Sequence, residues 1–381
     1  MFNPQFHITP RMTRALMGIE ADREAILSLP IDVEMLRSLR ETARLAATHY
    51  STQIEGNRLT QLQVQETLAG ARFPGRERDV KEVRNYYRAM EEVERLSQRP
   101  GPISEDDIRQ IHGLVLEGRS FPSQYRDGQN IIRDSISGSI VYLPPEAQDV
   151  PALMVELITW IDQALERGDL PVPIIAALTH YQYATIHPYY DGNGRTARLL
   201  TTLLLHRTGY GLKGIYNLEE YYAGNLIGYY TALDAGASHN YYFGRAEADV
   251  TDFIQYFCLG MCDSFAAVRA QASEASRRGM SDHSQLLRQL DPRQRQLLVL
   301  FRGQGTAKTG EIAACLGLSQ RTVVSLCRSW VTEGFLALHN PSRKNRLYQL
   351  GPRLEQLVVD SLPTATEPAH PPFAPDSPFA A

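Results

Sequence analysis

The sequence is poor in cysteine and tryptophan, with four and two among 381 residues. Four cysteines make no disulfide framework, so a reducing cytoplasm is the expected setting. No apolar run reaches the ~18 residues that a membrane helix needs, and the longest helical stretches carry Arg, Glu or His, so no membrane partner is expected. The opening MFNPQFHITPRM lacks the apolar core of a secretory signal. There is no repeat period. Nor does the chain have the composition of a disordered one. Hydrophobic residues make up 43% and charged residues 22%, enough to bury a sizeable core. The length leaves room for two or three domains.

Neither sign of charge is in great excess overall, since the net charge is −4. The distribution is uneven. Residues 284–351 hold ten Lys and Arg against three Asp and Glu. A basic C-terminal module is therefore set apart from an acidic body.

Up to about residue 275 the pattern is helix after helix. Val33, Leu36, Leu39, Ala43 and Ala46 recur at spacings of three and four, predicting a helix over 32–54. Further helices are expected over 79–97, from Ser104 to about Gly118, and over 150–167, 171–186, 193–208, 219–233 and 247–275. Ser104 followed by Glu105, Asp106 and Asp107 is a helix start with acids on the positive end of the dipole. Residues 121–145 break the pattern. Asn130–Arg133 and Ile140–Leu143 are short and β-prone, and read as a hairpin closed by Pro144 and Pro145.

The chemistry concentrates in His187-Pro188-Tyr189-Tyr190-Asp191-Gly192-Asn193-Gly194-Arg195-Thr196-Ala197-Arg198. This is a loop feeding a helix N-terminus. Gly192 and Gly194 let backbone N–H groups converge, and the helix dipole adds to them, making an anion nest. Arg195 and Arg198 lie three apart and suit a polyphosphate. Asp191 is a hard oxygen ligand, and phosphate plus carboxylate suggests Mg²⁺. His187 can take a proton near neutral pH. A calcium loop is excluded, because its fifth and sixth positions would be Arg195 and Thr196.

The segment resembles the signature of the Fic-domain family, His-Pro-Phe-x-Asp/Glu-Gly-Asn-Gly-Arg-x-x-Arg, with Tyr189 in place of the Phe. The resemblance covers about residues 1–275. It implies transfer of AMP from ATP to a protein hydroxyl, with His187 as general base. It also implies that Asp191 holds Mg²⁺, and that Gly192, Asn193, Gly194, Arg195, Thr196 and Arg198 bind the phosphates. The hairpin is similar to the family's flap, implying that Ile140, Val141, Tyr142 and Leu143 dock a target segment by strand addition. Tyr229 and Tyr230 fall where the family often has aromatics near the base, a placement equally open to core packing.

Ser51-Thr52-Gln53-Ile54-Glu55-Gly56 ends a helix, with Gly56 as its stop. An acid is disfavoured at a helix C-terminus, so Glu55 calls for a partner elsewhere. Ser51, Glu55 and Gly56 match the family's inhibitory motif. The resemblance implies that Glu55 reaches Arg198 and takes the γ-phosphate position.

In the C-terminal module, helices are expected over 292–302, 309–316 and 320–333, the last capped by Ser319 with Val323, Val324, Leu326 and Trp330 inward. Strands are expected over 335–338 and 346–350. The module resembles a winged helix-turn-helix. Arg321, Arg328, Arg343 and Lys344 suit phosphate contact, and whether the partner is nucleic acid or protein stays open. Gly303–Thr309 is rejected as a P-loop on spacing and context. Cys258 and Cys262, four apart on an apolar helix, are expected in the core rather than on zinc.

The expected fold is mainly α: a Fic-type helical bundle with a β-hairpin flap, plus a small α+β winged helix domain. Residues 1–103 would carry the inhibitory motif and 104–276 the catalytic domain. A linker at 277–284, the winged helix at 285–351 and a tail from 352, disordered from about 363, would follow. The expected activity is auto-inhibited adenylylation of a Ser, Thr or Tyr on a target protein and on the chain itself. A nucleotide-sensing transcriptional regulator and a de-AMPylase using the same site are the alternatives. A homodimer is left open.

Overall fold

A computed structural model describes residues 2–31, 33–133, 140–280, 290–303, 305–340, 346–352 and 354. The chain divides into two compact units near residue 276.

The first unit is mainly helical. Its helices are α1 (Pro10–Ser28), α2 (Val33–Ile54), α3 (Gln61–Leu68), α4 (Glu77–Ser97), α5 (Glu105–Glu117), α6 (Val150–Arg167), α7 (Val172–Ile186), α8 (Asn193–Arg207), α9 (Glu219–Gly224), α10 (Leu226–Leu233) and α11 (Thr251–Met280). α7 is apolar on every side and is buried almost throughout, so it forms the centre of the bundle. It packs on α6 and α8, while α4 packs on α2, α5 and α8. α8 is thereby held along its length with its N-terminus at the His187 loop.

The helix starts obey local chemistry. Ser104 and Asp107 form a reciprocal capping box on α5, and Arg99 pairs with Asp107 at 2.5 Å. Thr9 caps α1 ahead of Pro10, a start signal the periodicity reading passed over. The stretch 219–233 is not one helix. Asn225 leaves helical geometry (φ −137°, ψ 59°) and its side chain caps Gly228 N–H, so α9 ends and α10 begins. α11 starts at Thr251, where Asp249 accepts its N–H, rather than at 247. It continues through Met280, into the stretch read as a linker. Residues 281–284 of that stretch lie outside the described residues, as does the tail from 363.

The hairpin is shorter than expected. β1 (Ile132–Arg133) pairs antiparallel with β2 (Ile140–Tyr142), and the six residues between them lie outside the described set. Cys258 is fully buried and Cys262 partly so. Among the described residues no cluster of three His, Cys, Asp or Glu could hold a metal. No described helix is long and apolar enough to cross a membrane.

The second unit runs helix Pro292–Gly303, β3 (Ala307–Lys308), helix Thr309–Leu316, helix Gln320–Thr332, β4 (Leu336–Asn340) and β5 (Leu347–Leu350). Its antiparallel sheet has the order β3-β5-β4. Val323 and Trp330 are buried, Val324 and Leu326 only partly, and Cys327 completes the inward face. Arg321 and Arg328 are exposed. Arg343 and Lys344 lie outside the described residues.

One glycine inverts an ordinary rule. Alanine in place of a mid-helix glycine usually stabilises by up to about 1 kcal/mol. At Gly113 in α5, an added Cβ would lie 2.3 Å from the Phe121 carbonyl oxygen and 3.1 Å from that of Arg119. Backbone must move, so Gly113→Ala should destabilise by roughly 1–3 kcal/mol. Gly224→Ala, where nothing lies within 4 Å, is the control and should not. A denaturation midpoint for Gly113→Ala at or above the parent's would refute this.

Candidate active site

α7 ends at His187, which sits in left-handed geometry (φ 50°, ψ 60°). That conformation costs a non-glycine residue about 1–3 kcal/mol, so the surroundings must impose it. Arg126 does so. Its Nε donates to the His187 carbonyl at 3.0 Å, and its backbone N–H donates to the Pro188 carbonyl at 3.0 Å. Its remaining nitrogens reach the carbonyls of Gly128 and Pro145, tying the His187 loop to the chain around the hairpin. Arg126 is buried and lies in a stretch without periodicity, so sequence reasoning missed it.

The loop then closes on itself. The Asn193 side chain accepts from Tyr189 N–H at 3.0 Å and donates to the Tyr189 carbonyl at 2.8 Å. Gly192 turns the chain into α8 at φ 78°, the left-handed region where glycine is at ease. Tyr189 is buried and stacks on His112 with ring centroids 3.4 Å apart. Its hydroxyl lies toward Ser123 without completing a hydrogen bond. His112 is a second residue that sequence reasoning missed. Burial pushes its pKa down to about 4, so the ring is neutral. Nε2–H then donates to the Asp191 carbonyl at 2.9 Å while Nδ1 meets Ser123 Oγ at 2.6 Å. The ring thus holds the loop from below.

A cavity of about 160 Å³ opens over this loop, lined by Glu55, Tyr142, His187, Asn193, Gly194, Arg198, Tyr229 and Tyr230 among others. His187 Nδ1 lies 3.3 Å from the Ala184 carbonyl, which assigns the ring proton to Nδ1 and leaves Nε2 its lone pair. Burial first, and Arg126 after it, outweigh the Ala184 contact and push the pKa down to about 4. The ring is therefore neutral at pH 7. An NMR titration of the His187 C2–H should show a midpoint well below the ordinary 6.5. A midpoint at or above 6.5 would contradict the burial argument.

Arg198 is 2% exposed. Its Nε donates to Ser51 Oγ at 2.8 Å, and its Nη2 donates to the Ser51 carbonyl at 3.0 Å and to Glu55 Oε1 at 2.8 Å. Its Nη1 is buried without a partner among the described residues. That nitrogen borders Gly194, where an added Cβ would stand 3.3 Å from it and 2.4 Å from Glu55 Oε1. Gly56 stops α2 at φ 88°, placing Glu55 over Gly194.

The other expected site residues divide. Arg195 does not line the cavity. It is buried and donates to Asp191 Oδ1 at 2.9 Å, with Glu82 4.0 Å away. Asp191 keeps a side chain 59% exposed. Thr196 is fully buried, its N–H donates to the Gly192 carbonyl at 3.0 Å, and it does not line the cavity. Tyr229 is buried with its hydroxyl 2.8 Å from His180 Nε2, while Tyr230 is half-buried on the cavity wall. In the hairpin, Ile140 is exposed and Val141 lines the cavity, but Tyr142 turns inward and donates to the Thr185 carbonyl at 2.7 Å. Leu143 is already paired. Its N–H reaches the His239 carbonyl at 2.7 Å, and its carbonyl accepts from Tyr241 N–H at 3.1 Å.

Residues 102–205 match the model of the Fic/DOC family. A protein adenylyltransferase Fic from Nematostella vectensis is 32% identical over 201 residues, covering 50% of this chain and 44% of that protein. The protein of the same name from Drosophila willistoni is 30% identical over 202 residues, covering 52% and 39%. The chain thus spans less than half the length of these curated relatives. Among solved structures, a Fic family protein from Desulfovibrio desulfuricans G20 is similar with a TM-score of 0.62 at 25% identity, covering 92% of this chain and 99% of that one.

Proposed function

From a chain that carries a Fic domain over residues 102–205, we propose an auto-inhibited protein adenylyltransferase that moves AMP from ATP to a hydroxyl of a target protein. The observation that carries the reading is one cavity uniting a neutral His187, the N-terminus of α8 and the buried Arg198. In the reaction the target oxygen attacks the α-phosphorus and the bond to the β,γ-diphosphate breaks. His187 Nε2 takes the hydroxyl proton as the new phosphodiester forms. Positioning and charge stabilisation supply most of such a rate.

The phosphates are assigned to the backbone N–H groups of Asn193 and Gly194, which line the cavity, and to Arg198, whose Nη1 is a buried donor awaiting an acceptor. Gly192 serves by its turn, since its own N–H is taken by Asp191. Tyr230, on the cavity wall, is assigned to the base. Asp191 fits Mg²⁺. Oδ1 is taken up by Gly192 N–H and Arg195, and the side chain remains solvent-accessible. A metal that arrives with the nucleotide needs only one or two carboxylates. When bound it would offset charge on the phosphates. Arg195 then acts chiefly by orienting Asp191.

Glu55 is assigned as the brake. It withholds Arg198 and narrows a cavity already below the ~300–1,000 Å³ usual for small-molecule sites. Self-modification follows from a brake-released site. Target docking is assigned to the Ile140–Val141 edge. The second unit, with Arg321 and Arg328 exposed, is assigned to a partner other than the modified hydroxyl. The test is transfer from α-labelled ATP by a Glu55→Gly variant, read on protein bands and located by mass spectrometry. Label on protein supports the enzyme. Nucleotide binding without transfer would leave a sensor and overturn it.

A further inference from the structure

A second cavity, of about 470 Å³, opens at the opposite end of α8 from His187. Arg40 of α2, Glu94 and Ser97 of α4, His206 of α8, and Gly211 and Lys213 of the following loop line it. At this volume it falls within the range of small-molecule sites, and it is larger than the His187 cavity.

Its charge is not balanced. Arg40 and Lys213 bring two cations and Glu94 one anion. The Glu94 carboxylate is already matched by Arg44 at 2.5 Å. Positive charge therefore remains on the wall. Arg40 commits its Nε to the Lys213 carbonyl at 2.5 Å, which leaves its terminal nitrogens for a ligand. The loop is held in an uncommon shape. Leu212 and Lys213 both lie in the left-handed region, at φ 44° and 58°. Lys213 Nζ donates to the Leu29 carbonyl at 2.9 Å, which anchors it against α1. Gly211 brings bare backbone onto the His206 ring, where an added Cβ would stand 2.9 Å from Cδ2. The His206 ring nitrogens make no hydrogen bond among the described residues, so they add a donor and an acceptor. Such clusters of strained backbone persist where the surroundings over-determine them, commonly at ligand clamps.

We propose that this cavity is a second ligand site, which takes a small metabolite bearing an oxyanion, a phosphate ester or a carboxylate, against Arg40 and Lys213. His206, Ser97 and the loop backbone would meet hydroxyl groups on the ligand's body. The site does not depend on the reaction assigned to the His187 cavity.

The test is calorimetric titration of the full chain, without ATP or Mg²⁺, using glucose 6-phosphate in one arm and citrate in the other. Saturable binding of at least one probe at millimolar concentration or below is expected. Arg40→Gln and Lys213→Asn should each weaken it by about tenfold or more, the loss expected for a charge-assisted contact. Asparagine tolerates the left-handed backbone, and Arg40 is exposed, so both variants should fold. Unchanged melting temperatures would confirm that. Arg198→Ala should bind the probes as the parent does. No binding of either probe at about 10 mM overturns the proposal. So does binding unaltered by both variants, or binding abolished by Arg198→Ala, which would place the probe in the His187 cavity.

Discussion

His187→Ala should lower AMP transfer by about 10²–10⁴-fold, the usual contribution of a general base, while ATP binding survives. The split follows from the geometry. The ring is neutral and presents the Nε2 lone pair to the cavity, and no phosphate contact is assigned to it. The nucleotide is assigned instead to the start of α8 and to Arg198, both outside the substituted side chain. Alanine also tolerates the Arg126 strap, which grips backbone carbonyls rather than the imidazole. Fluorescent-nucleotide titration and label transfer on the same preparation read the two effects separately. Transfer within tenfold of the parent would remove His187 from the role of base.

The second large effect has the opposite sign. Glu55→Gly should raise transfer by about 10²-fold, the cost that a small misplacement of the reacting groups can carry. Glu55 Oε1 stands 2.8 Å from Arg198 Nη2 and lies over Gly194, the space that the proposed function assigns to the γ-phosphate. Removing it frees both. Arg198 should not drift when its partner goes, because Ser51 still holds Nε and Nη2 through its hydroxyl and carbonyl. The guanidinium thus stays aimed. Arg198→Ala in the Glu55→Gly background should erase the gain, and Arg198→Ala alone should be inactive. Unchanged self-modification by Glu55→Gly at saturating ATP and Mg²⁺ would reduce the 51–57 segment to a helix end.

The parts of the site that were legible in the sequence are those written in contiguous residues. Gly192 had to turn the chain, and a helix had to follow, whatever packed around them. The Glu55–Arg198 pair spans a long stretch of chain. It was foreseen because an acid at a helix C-terminus is unfavourable on its own and because the segment resembles an inhibitory motif. Arg126 and His112 gave no such sign. Arg126 sits in a loop where no period singles out an inward residue. His112 falls among apolar neighbours on α5, where a histidine reads as ordinary core. Arg195 reads as a phosphate ligand from its spacing to Arg198 and from the family resemblance, neither of which shows that the turn of α8 sets its guanidinium against Asp191. Leu143 has β-prone character, which does not reveal that its strand edge is already taken by the 239–241 segment. The break at Asn225 shows the same limit in a helix. Apolar spacing persists across it, and the cap that interrupts it is a side-chain event.

α2 serves two ends at once. Ser51 and Glu55 restrain Arg198 from its last turn and just beyond, and Ala43, Ala46, Ala47, Thr52 and Ile54 of the same helix are buried where it packs on α4 and α9. Proteolytic clipping that stripped the restraint would also strip a wall from the bundle and leave an apolar trough open to aggregation. A cut through α2 should therefore cost the fold as well as the restraint, whereas a substitution at Glu55, which is only half-buried beyond the helix end, leaves the α2 packing in place. On the proposed function, release of Arg198 should arise by substitution at position 55 and seldom by truncation through α2.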